Sequence, residues 1–447
     1  MQTKNTAIIG LGKTGMSCLR YLVRQNIPLI AFDTREQLPD IDDLKQQFPS
    51  VPIYLGALDE KIILQAQEII ISPGLSLEMP AIVKARTAGI PVIGDIELFA
   101  RAVKAPVIGI TGTNAKGTVT TLVGEMLKAA GKKVLVGGNI GTPALDLLAE
   151  NIPEYYVLEL SSFQLETTNS LKYAASTLLN ISEDHLDRHG AMANYIAAKQ
   201  LIYQRCQTAI YNRDDAATMP VTPVARKISF GLTKPAANEF GLLQSNNEYW
   251  LSFSEQLLLK VNELRVKGRH NWANALAALA IGYALNLPIP AMLQALRNFK
   301  GLPHRCEWVI EQDGVAWYDD SKGTNVGSTL AAIQGLGGTL SGKIILIAGG
   351  LGKGADFTQL RPAVTQYVHQ LILLGQDAFF IEQALQNTVA MTHVKTLQEA
   401  VLYARQIARS GDAVLLSPAC ASWDMFRDYV QRGEMFQALV RNLYEMQ

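Results

Sequence analysis

The run GITGTNAKGTVTTL, residues 109–122, carries the sharpest chemical signal in the chain. It follows an apolar, strand-like segment and opens a helix-like one. Gly112 permits a tight turn. The amides of Thr113, Asn114 and Ala115 can face a phosphate, and Lys116 can reach the terminal phosphates of a nucleotide. A phosphate loop ordinarily has Gly before this lysine and a hydroxyl residue after it. Here Ala115 and Gly117 occupy those places. Thr118 is the nearest hydroxyl that could serve a Mg²⁺ ion, and a water or a second carboxylate could serve instead. The plain alternative is an ordinary strand–helix turn.

Other residue clusters invite chemistry. GLGKTG (10–15) follows a strand and precedes a helix, and Asp33 ends the next strand at the spacing of a dinucleotide fingerprint. A nucleotide-diphosphate substrate exploits the same turn and helix terminus, and a simple tight turn does too. Glu159 lies in LELSSFQLE, a run otherwise fit for a buried strand; a metal is one reason to place a carboxylate there. NISEDHLDRHG (180–190) sets His185 and His189 four residues apart, a conceivable zinc pair on a helix, or else a capped, charged helix start. Lys199 sits among apolar residues at helical spacing, as a functional amine or a snorkelling side chain. Asn271 and Asn274 share a helix face and could read a base edge, or cap a packed helix. Arg305, Lys322 and Lys353 are isolated cations in loops rich in glycine and hydroxyls, suited to phosphate or carboxylate recognition.

These groups need elements to hold them. Strand-like and helix-like runs alternate along the chain, which predicts an α/β protein with parallel sheets. The candidate loops follow strands, where ligands bind in such sheets. Residues 221–268 break the alternation and read as a small side sheet. Seams fall near 94–104 and 298–303. A length of 447 residues allows roughly two to four domains. Forty basic residues balance forty acidic ones, so no global charge points to nucleic acid or a membrane surface. Cys18, Cys206, Cys306 and Cys420 are widely spaced, as expected of free thiols in a reducing compartment. The passage from MQTKN into TAIIG predicts no signal peptide, and no apolar run is long enough to span a bilayer. A cytoplasmic location follows as the expectation.

Taken in order, VIGDIELF, LELSSFQLE, EDHLDR, AAKQLIY, GLPHR, DDSKGTNVGST and SPACAS resemble the Mur ligases of peptidoglycan synthesis, and among them the branch that adds D-glutamate. The resemblance covers nearly the whole chain. It implies three domains: a Rossmann-like UDP-substrate domain (1–95), a P-loop-type ATPase (96–299) and a C-terminal Rossmann-like domain binding nucleotide and amino acid (300–447). By position it assigns Thr14, Asp33, Thr34, Arg35, Ser72, Gly74 and Asn139 to the UDP substrate. Gly112, Thr113, Asn114, Ala115, Lys116, Gly117, Thr118, Asn271, Asn274, Arg305 and Asp320 are assigned to ATP. Glu159, His185 and Lys199 are implied metal ligands, Lys199 as a carbamate, with Thr118 as the candidate hydroxyl. Lys322, Thr324, Lys353, Ser422 and Tyr429 surround the implied D-glutamate site. Lys116, His185 and Lys199 are the implied catalytic centre.

The implied reaction joins UDP-MurNAc-L-Ala to D-glutamate with ATP and two Mg²⁺ ions through an acyl phosphate, in a protein expected to be monomeric. Departures from the family pattern are Ala115 and Gly117 in the loop, Trp423 for a common Leu, Tyr429 for a common Phe, and Lys13 for an apolar residue, as a further contact to uracil or phosphate. Three other readings compete: a related ligase of this family or of the folylpolyglutamate-synthase type with another amino acid, an NAD-dependent oxidoreductase, and a nucleotide-binding regulator without catalysis.

Overall fold

A computed structural model describes residues 5–38, 41–148, 152–266, 268–338 and 340–445. Residues 1–4 and Lys267, parts of the N-terminal and 267–279 stretches, lie outside them. The fold is mixed α/β, with three separate sheets following one another along the chain.

The first sheet contains β1 (Thr6–Ile9), β2 (Leu29–Asp33), β3 (Ile53–Leu55), β4 (Glu68–Ile71) and β5 (Val92–Ile93), in the order 3-2-1-4-5. All its pairings are parallel. Strands such as TAII and LIAFD are buried along their whole length. Helices cover both faces, which is why they read as continuous apolar runs rather than alternating ones.

The second sheet runs β6 (Val107–Thr111), β7 (Val134–Gly138), β8 (Tyr155–Glu159), β9 (Tyr173–Leu178), β10 (Cys206–Asn212), β11 (Arg226–Phe230), β12 (Phe240–Ser245), β13 (Glu248–Phe253) and β14 (Gln256–Lys260). Its spatial order is 14-13-12-11-10-9-6-8-7. The expected side sheet is therefore not separate. β11 pairs in parallel with β10, and the β12–β14 meander extends the same sheet. The alternating pattern in the sequence is that of antiparallel edge strands, whose outer face is exposed. The helices Lys116–Ala129 and Arg269–Ala284 pack together on this sheet, joining Val119, Val123, Leu276 and Leu279 in one apolar core.

The third sheet contains β15 (Glu307–Gln312), β16 (Val315–Asp319), β17 (Ile344–Ala348), β18 (Val368–Leu373), β19 (Ala390–His393) and β20 (Ala413–Leu416), ordered 15-16-20-17-18-19. Only the β15–β16 hairpin is antiparallel. The order of strands matters for the site. In the second sheet β9, β6 and β8 are neighbours, so the loops at their carboxyl ends converge. In the third sheet β16, β20 and β17 are neighbours, which gathers the loops beginning at Asp320, Ser417 and Gly349. Among the described residues no helix is long and apolar enough to cross a membrane.

Candidate active site

The loop after β6 holds the phosphate-loop residues. Ala115 takes a left-handed conformation (φ 63°, ψ 0°) just before the helix that starts at Lys116. An L-residue there costs roughly 1–2 kcal/mol relative to glycine, so something must hold it. Asn114 N donates to Asn180 Oδ1 at 2.8 Å, and Ser182 N donates to Thr113 Oγ1 at 3.0 Å, tying the loop to the one after β9. Lys116 Nζ turns back onto the carbonyls of Gly112 (3.0 Å) and Thr113 (2.9 Å). Burial lowers its pKa, against the opposing fields of Glu159 and Asp184. A buried ammonium held only by neutral carbonyls has unused capacity for an anion.

Glu159 ends β8 and is buried; its Oε1 accepts from Asn139 Nδ2 at 2.7 Å. A Cβ placed on Gly117 would lie 3.1 Å from Glu159 Oε2 and 3.3 Å from Arg305 Nη2. The space beside the missing hydroxyl thus faces a carboxylate oxygen. Thr118 lies elsewhere: it lines the neighbouring cavity with Asn271 and Asn274, not the cavity that Glu159 and His185 line. His185 takes a left-handed conformation ahead of a one-turn helix, and burial lowers its pKa. His189 does not join it as a zinc pair. Its Nε2 is 3.0 Å from Ser162 Oγ and its ring stacks on Phe163. Lys199 is 2% exposed, with Nζ 2.8 Å from the Gly112 carbonyl and above the Tyr195 ring. Burial, reinforced by Lys116, lowers its pKa well below the usual lysine value. Its amine is enclosed and not carried out to solvent, so the side chain is not a snorkelling one. An oxygen donor at Glu159 facing a cavity suits Mg²⁺, which takes few protein ligands and keeps several waters.

Two cavities meet at this loop. One, of about 300 Å³, is lined by Asn114, Ala115, Thr118, Asn271, Asn274, Arg305 and Asp320. Asn274 Nδ2 donates to Asn271 Oδ1 at 3.1 Å. Asp320 is buried and receives Ser417 Oγ at 2.6 Å and Cys306 N at 3.0 Å; burial raises its pKa to about 7. The second cavity, of about 250 Å³, brings Lys116, Glu159 and His185 together with Arg305, Lys322, Thr324, Lys353, Ser422 and Tyr429. Lys322 Nζ sits 3.7 Å above the centre of the Tyr429 ring, and burial lowers its pKa to about 8. A third cavity adjoins the second and adds Gly74 and Lys199.

The other predicted residues, Asn139 apart, lie in the first domain. Asp33 accepts from Leu11 N (2.7 Å) and from Arg35 Nε (2.7 Å) and Nη2 (2.8 Å). Burial alone would raise its pKa, but these donors bring it down to about 2. Asp33 thereby fastens the glycine loop to the next strand. Ser72 Oγ donates to the Gly10 carbonyl at 3.0 Å, Thr34 is exposed, and the Thr14 carbonyl accepts from Ser17 Oγ. Asn139 lies apart from this group, beside Glu159 in the centre. Lys13 Nζ donates to the Gly141 carbonyl at 2.6 Å, joining the first two domains.

Sequence reasoning passed over several residues. Asp184, neighbour to His185, lines both the second and third cavities. Asn325 donates to it and to Asn114 Oδ1, each at 3.2 Å. The final helix (Tyr429–Glu445) positions two loops that line the cavities. Buried Arg432 donates to Ser321 Oγ, Ser321 O and Cys420 O. Its neighbour Gly433 packs against His304, whose Nδ1 is 2.7 Å from Asp319 Oδ2. Gln437 donates to Asp319 and Glu307, and His304 N donates to Glu307. The His304–Glu307–Asp319 group has the composition of a metal site. Protein donors already satisfy its acceptors, and what it fixes is the loop carrying Arg305. The visible signal was only the i, i+3, i+4, i+8 spacing of Tyr429, Arg432, Gly433 and Gln437.

Comparison with known proteins agrees with this arrangement. Residues 4–94 match the Mur ligase MurD-like N-terminal domain, 110–282 the Mur ligase middle domain and 304–420 the Mur ligase glutamate ligase domain. The chain is 53% identical over 437 residues to UDP-N-acetylmuramoylalanine--D-glutamate ligase of Pseudomonas aeruginosa, covering 98% of this chain and 97% of that one. It is 49% identical to the protein of the same name from Legionella pneumophila, with 98% of both chains covered. The solved structure of UDP-N-acetylmuramate-alanine ligase MurC from Thermotoga maritima shares the fold at a TM-score of 0.62 and 20% identity, covering 99% of this chain and 100% of that one. The MurF ligase of Thermotoga maritima in complex with ADP gives 0.64 at 16% identity, covering 99% and 96%. With three consecutive domain matches and about half of its residues shared with full-length relatives, the chain belongs to the Mur ligase family.

Proposed function

We propose that this protein is an ATP-dependent ligase that adds D-glutamate to UDP-MurNAc-L-Ala, acting as a cytoplasmic monomer in peptidoglycan precursor synthesis. The observation that carries this reading is the meeting of three cavities at one phosphate loop, with Lys116 in two of them and Asn114, Ala115 and Arg305 in the third. Such a junction can hold a nucleotide, an acyl donor and an amine side by side.

A carboxylate is a poor acylating agent because its leaving group would be oxide. Attack of the L-alanyl carboxylate on the γ-phosphorus of ATP releases ADP and leaves an acyl phosphate. The α-ammonium of D-glutamate gives up one proton to become the nucleophilic amine, the amine attacks the acyl carbon, and a tetrahedral intermediate forms; the nitrogen then loses a second proton to solvent and phosphate departs with the C–O bonding pair. Catalysis of the first step is chiefly positioning and charge stabilisation. Lys116 and Arg305 supply fixed positive charge where the phosphates lie. Asn271, Asn274 and Asp320 hold the base and ribose end. Lys322, Lys353, Thr324 and Ser422, with Tyr429 as a wall, receive the carboxylates of the amino acid. The first domain holds the UDP end through its glycine loop, Asp33, Arg35 and Ser72.

Glu159, His185 and a carbamylated Lys199 would hold two Mg²⁺ ions, which supply Lewis-acid neutralisation of phosphate charge. Carbamylation joins the Lys199 amine, in its unprotonated form, to CO₂ with loss of one proton and leaves an anionic carbamate. The deciding experiment is phosphate release in the presence of UDP-MurNAc-L-Ala with the amino acid varied. Release that depends on D-glutamate supports the reading; release with another amino acid, or none, overturns it.

A further inference from the structure

We propose that Asp184 is the counter-ion that receives the α-ammonium group of the incoming amino acid; this rests on the ligase reading above. The second and third cavities share six lining residues: Lys116, Asn139, Asp184, His185, Lys353 and Trp423. An amine held in one cavity must cross this seam to reach an acyl carbon held in the other. Among the six, Asp184 is the one carboxylate.

The charge pattern requires such a group. Lys116, Arg305, Lys322 and Lys353 line the amino-acid cavity, a field suited to two carboxylates and to phosphate. The same field repels an ammonium. Three acids line that cavity. Glu159 lies against Gly117 on the phosphate loop and does not line the third cavity. Asp428 lies at the rim, 41% exposed, and does not line the third cavity. Asp184 is 14% exposed and held in place: its Oδ1 accepts the His185 amide at 3.0 Å and its Oδ2 accepts Asn325 Nδ2 at 3.2 Å. Lys353 Nζ stands 3.6 Å from Oδ1, attracted but beyond hydrogen-bonding distance. Two carboxylate oxygens accept about four hydrogen bonds, so Asp184 keeps capacity for an ammonium donor. Lys353 and Asp184 would then take opposite ends of one zwitterion.

The test compares D-glutamate with glutarate, which has both carboxylates and no amine. Binding of each is titrated to the wild type, Asp184→Asn and Lys353→Met, in the presence of a non-hydrolysable ATP analogue and UDP-MurNAc-L-Ala. Asp184→Asn keeps the shape and one acceptor oxygen, and an unchanged affinity for the ATP analogue checks that the site is intact. A charge-assisted hydrogen bond corresponds to about tenfold or more in affinity. The expected result is a loss of that size for D-glutamate with glutarate unchanged, whereas Lys353→Met weakens both. Equal loss of both ligands in Asp184→Asn makes the residue a structural tie and overturns the proposal, as does no loss of either. A wild type that neither binds nor turns over D-glutamate overturns the ligase reading instead, and this proposal with it.

Discussion

Gly433→Ala tests whether the last helix sets the position of Arg305. A Cβ on Gly433 would fall on His304 Nδ1, well inside contact distance, and lie 2.8 Å from Asp319 Oδ2. Both partners are buried, and Gln437 closes the other side of Asp319. Overpacking costs about 1–3 kcal/mol. Separating the charge-assisted His304–Asp319 bond costs about 1.5–3 kcal/mol. Replacing a helical glycine with alanine returns about 1 kcal/mol. The net is a loss of about 1.5–5 kcal/mol, or roughly 3–20 °C in the melting of a domain of this size.

The loop displaced is the one carrying Arg305, so the KM for ATP should rise at least about tenfold while affinity for the UDP precursor stays unchanged. Melting curves and a phosphate-release assay read both effects. Pairing with His304→Ala sharpens the test, because removing the imidazole makes room for the methyl group. The double variant should therefore cost less than the sum of the two singles. The His304 pKa is raised, first by its hydrogen bond to Asp319. Stability from this pair is therefore complete below the unfolded histidine value of about 6.5 and is lost as pH rises through the higher folded value. The stability gap between wild type and Gly433→Ala should be wider at pH 6 than at pH 9. A Gly433→Ala protein as stable and active as the parent, or strictly additive costs in the double variant, would refute the reasoning.

Lys116→Ala should remove at least about 100-fold of turnover, the scale of losing one charge-stabilising donor, while a titration shows the UDP precursor still bound. Lys199→Ala should be inactive and partly recovered by formate or acetate, which fill the vacated space with a carboxylate; Lys199→Arg should not recover, because its cation still fills the site. Gly117→Ser should lower or leave unchanged the Mg²⁺ concentration for half activity, since its hydroxyl would stand beside Glu159 Oε2 and the neighbours that must yield, Ile140 Cδ1 most and Glu159 and Arg305 by a few tenths of an ångström, are side-chain ends. Thr118→Val should leave that Mg²⁺ requirement unchanged and alter the KM for ATP, because Thr118 faces the nucleotide cavity.

Much of this protein was legible along the chain because its information is local. A strand, a glycine turn and a helix start lie within a dozen residues, so the loop around Lys116 announced itself. Continuous apolar runs such as IILIA identify strands covered on both faces. Family motifs carried the rest of the site residues. Other features depend on which strands are neighbours, which no single segment encodes. The extension of the central sheet by β12–β14 was misread as a side sheet because alternation records one exposed face and says nothing of the partner strand. His185 and His189 share helical spacing, yet Ser162 and Phe163 engage the latter. Asp184 stands out in sequence only as one acid of the NISEDHLDRHG cluster with no role of its own, and its place appears where loops from the second and third sheets close on it. Arg432 reaches Ser321, and Gly433 reaches His304, across more than a hundred residues of sequence. The chain's local order determined the elements and the phosphate loop. Tertiary packing decided which charges face one another, because the electrostatics of a cavity depend on distance in space and not on order along the backbone.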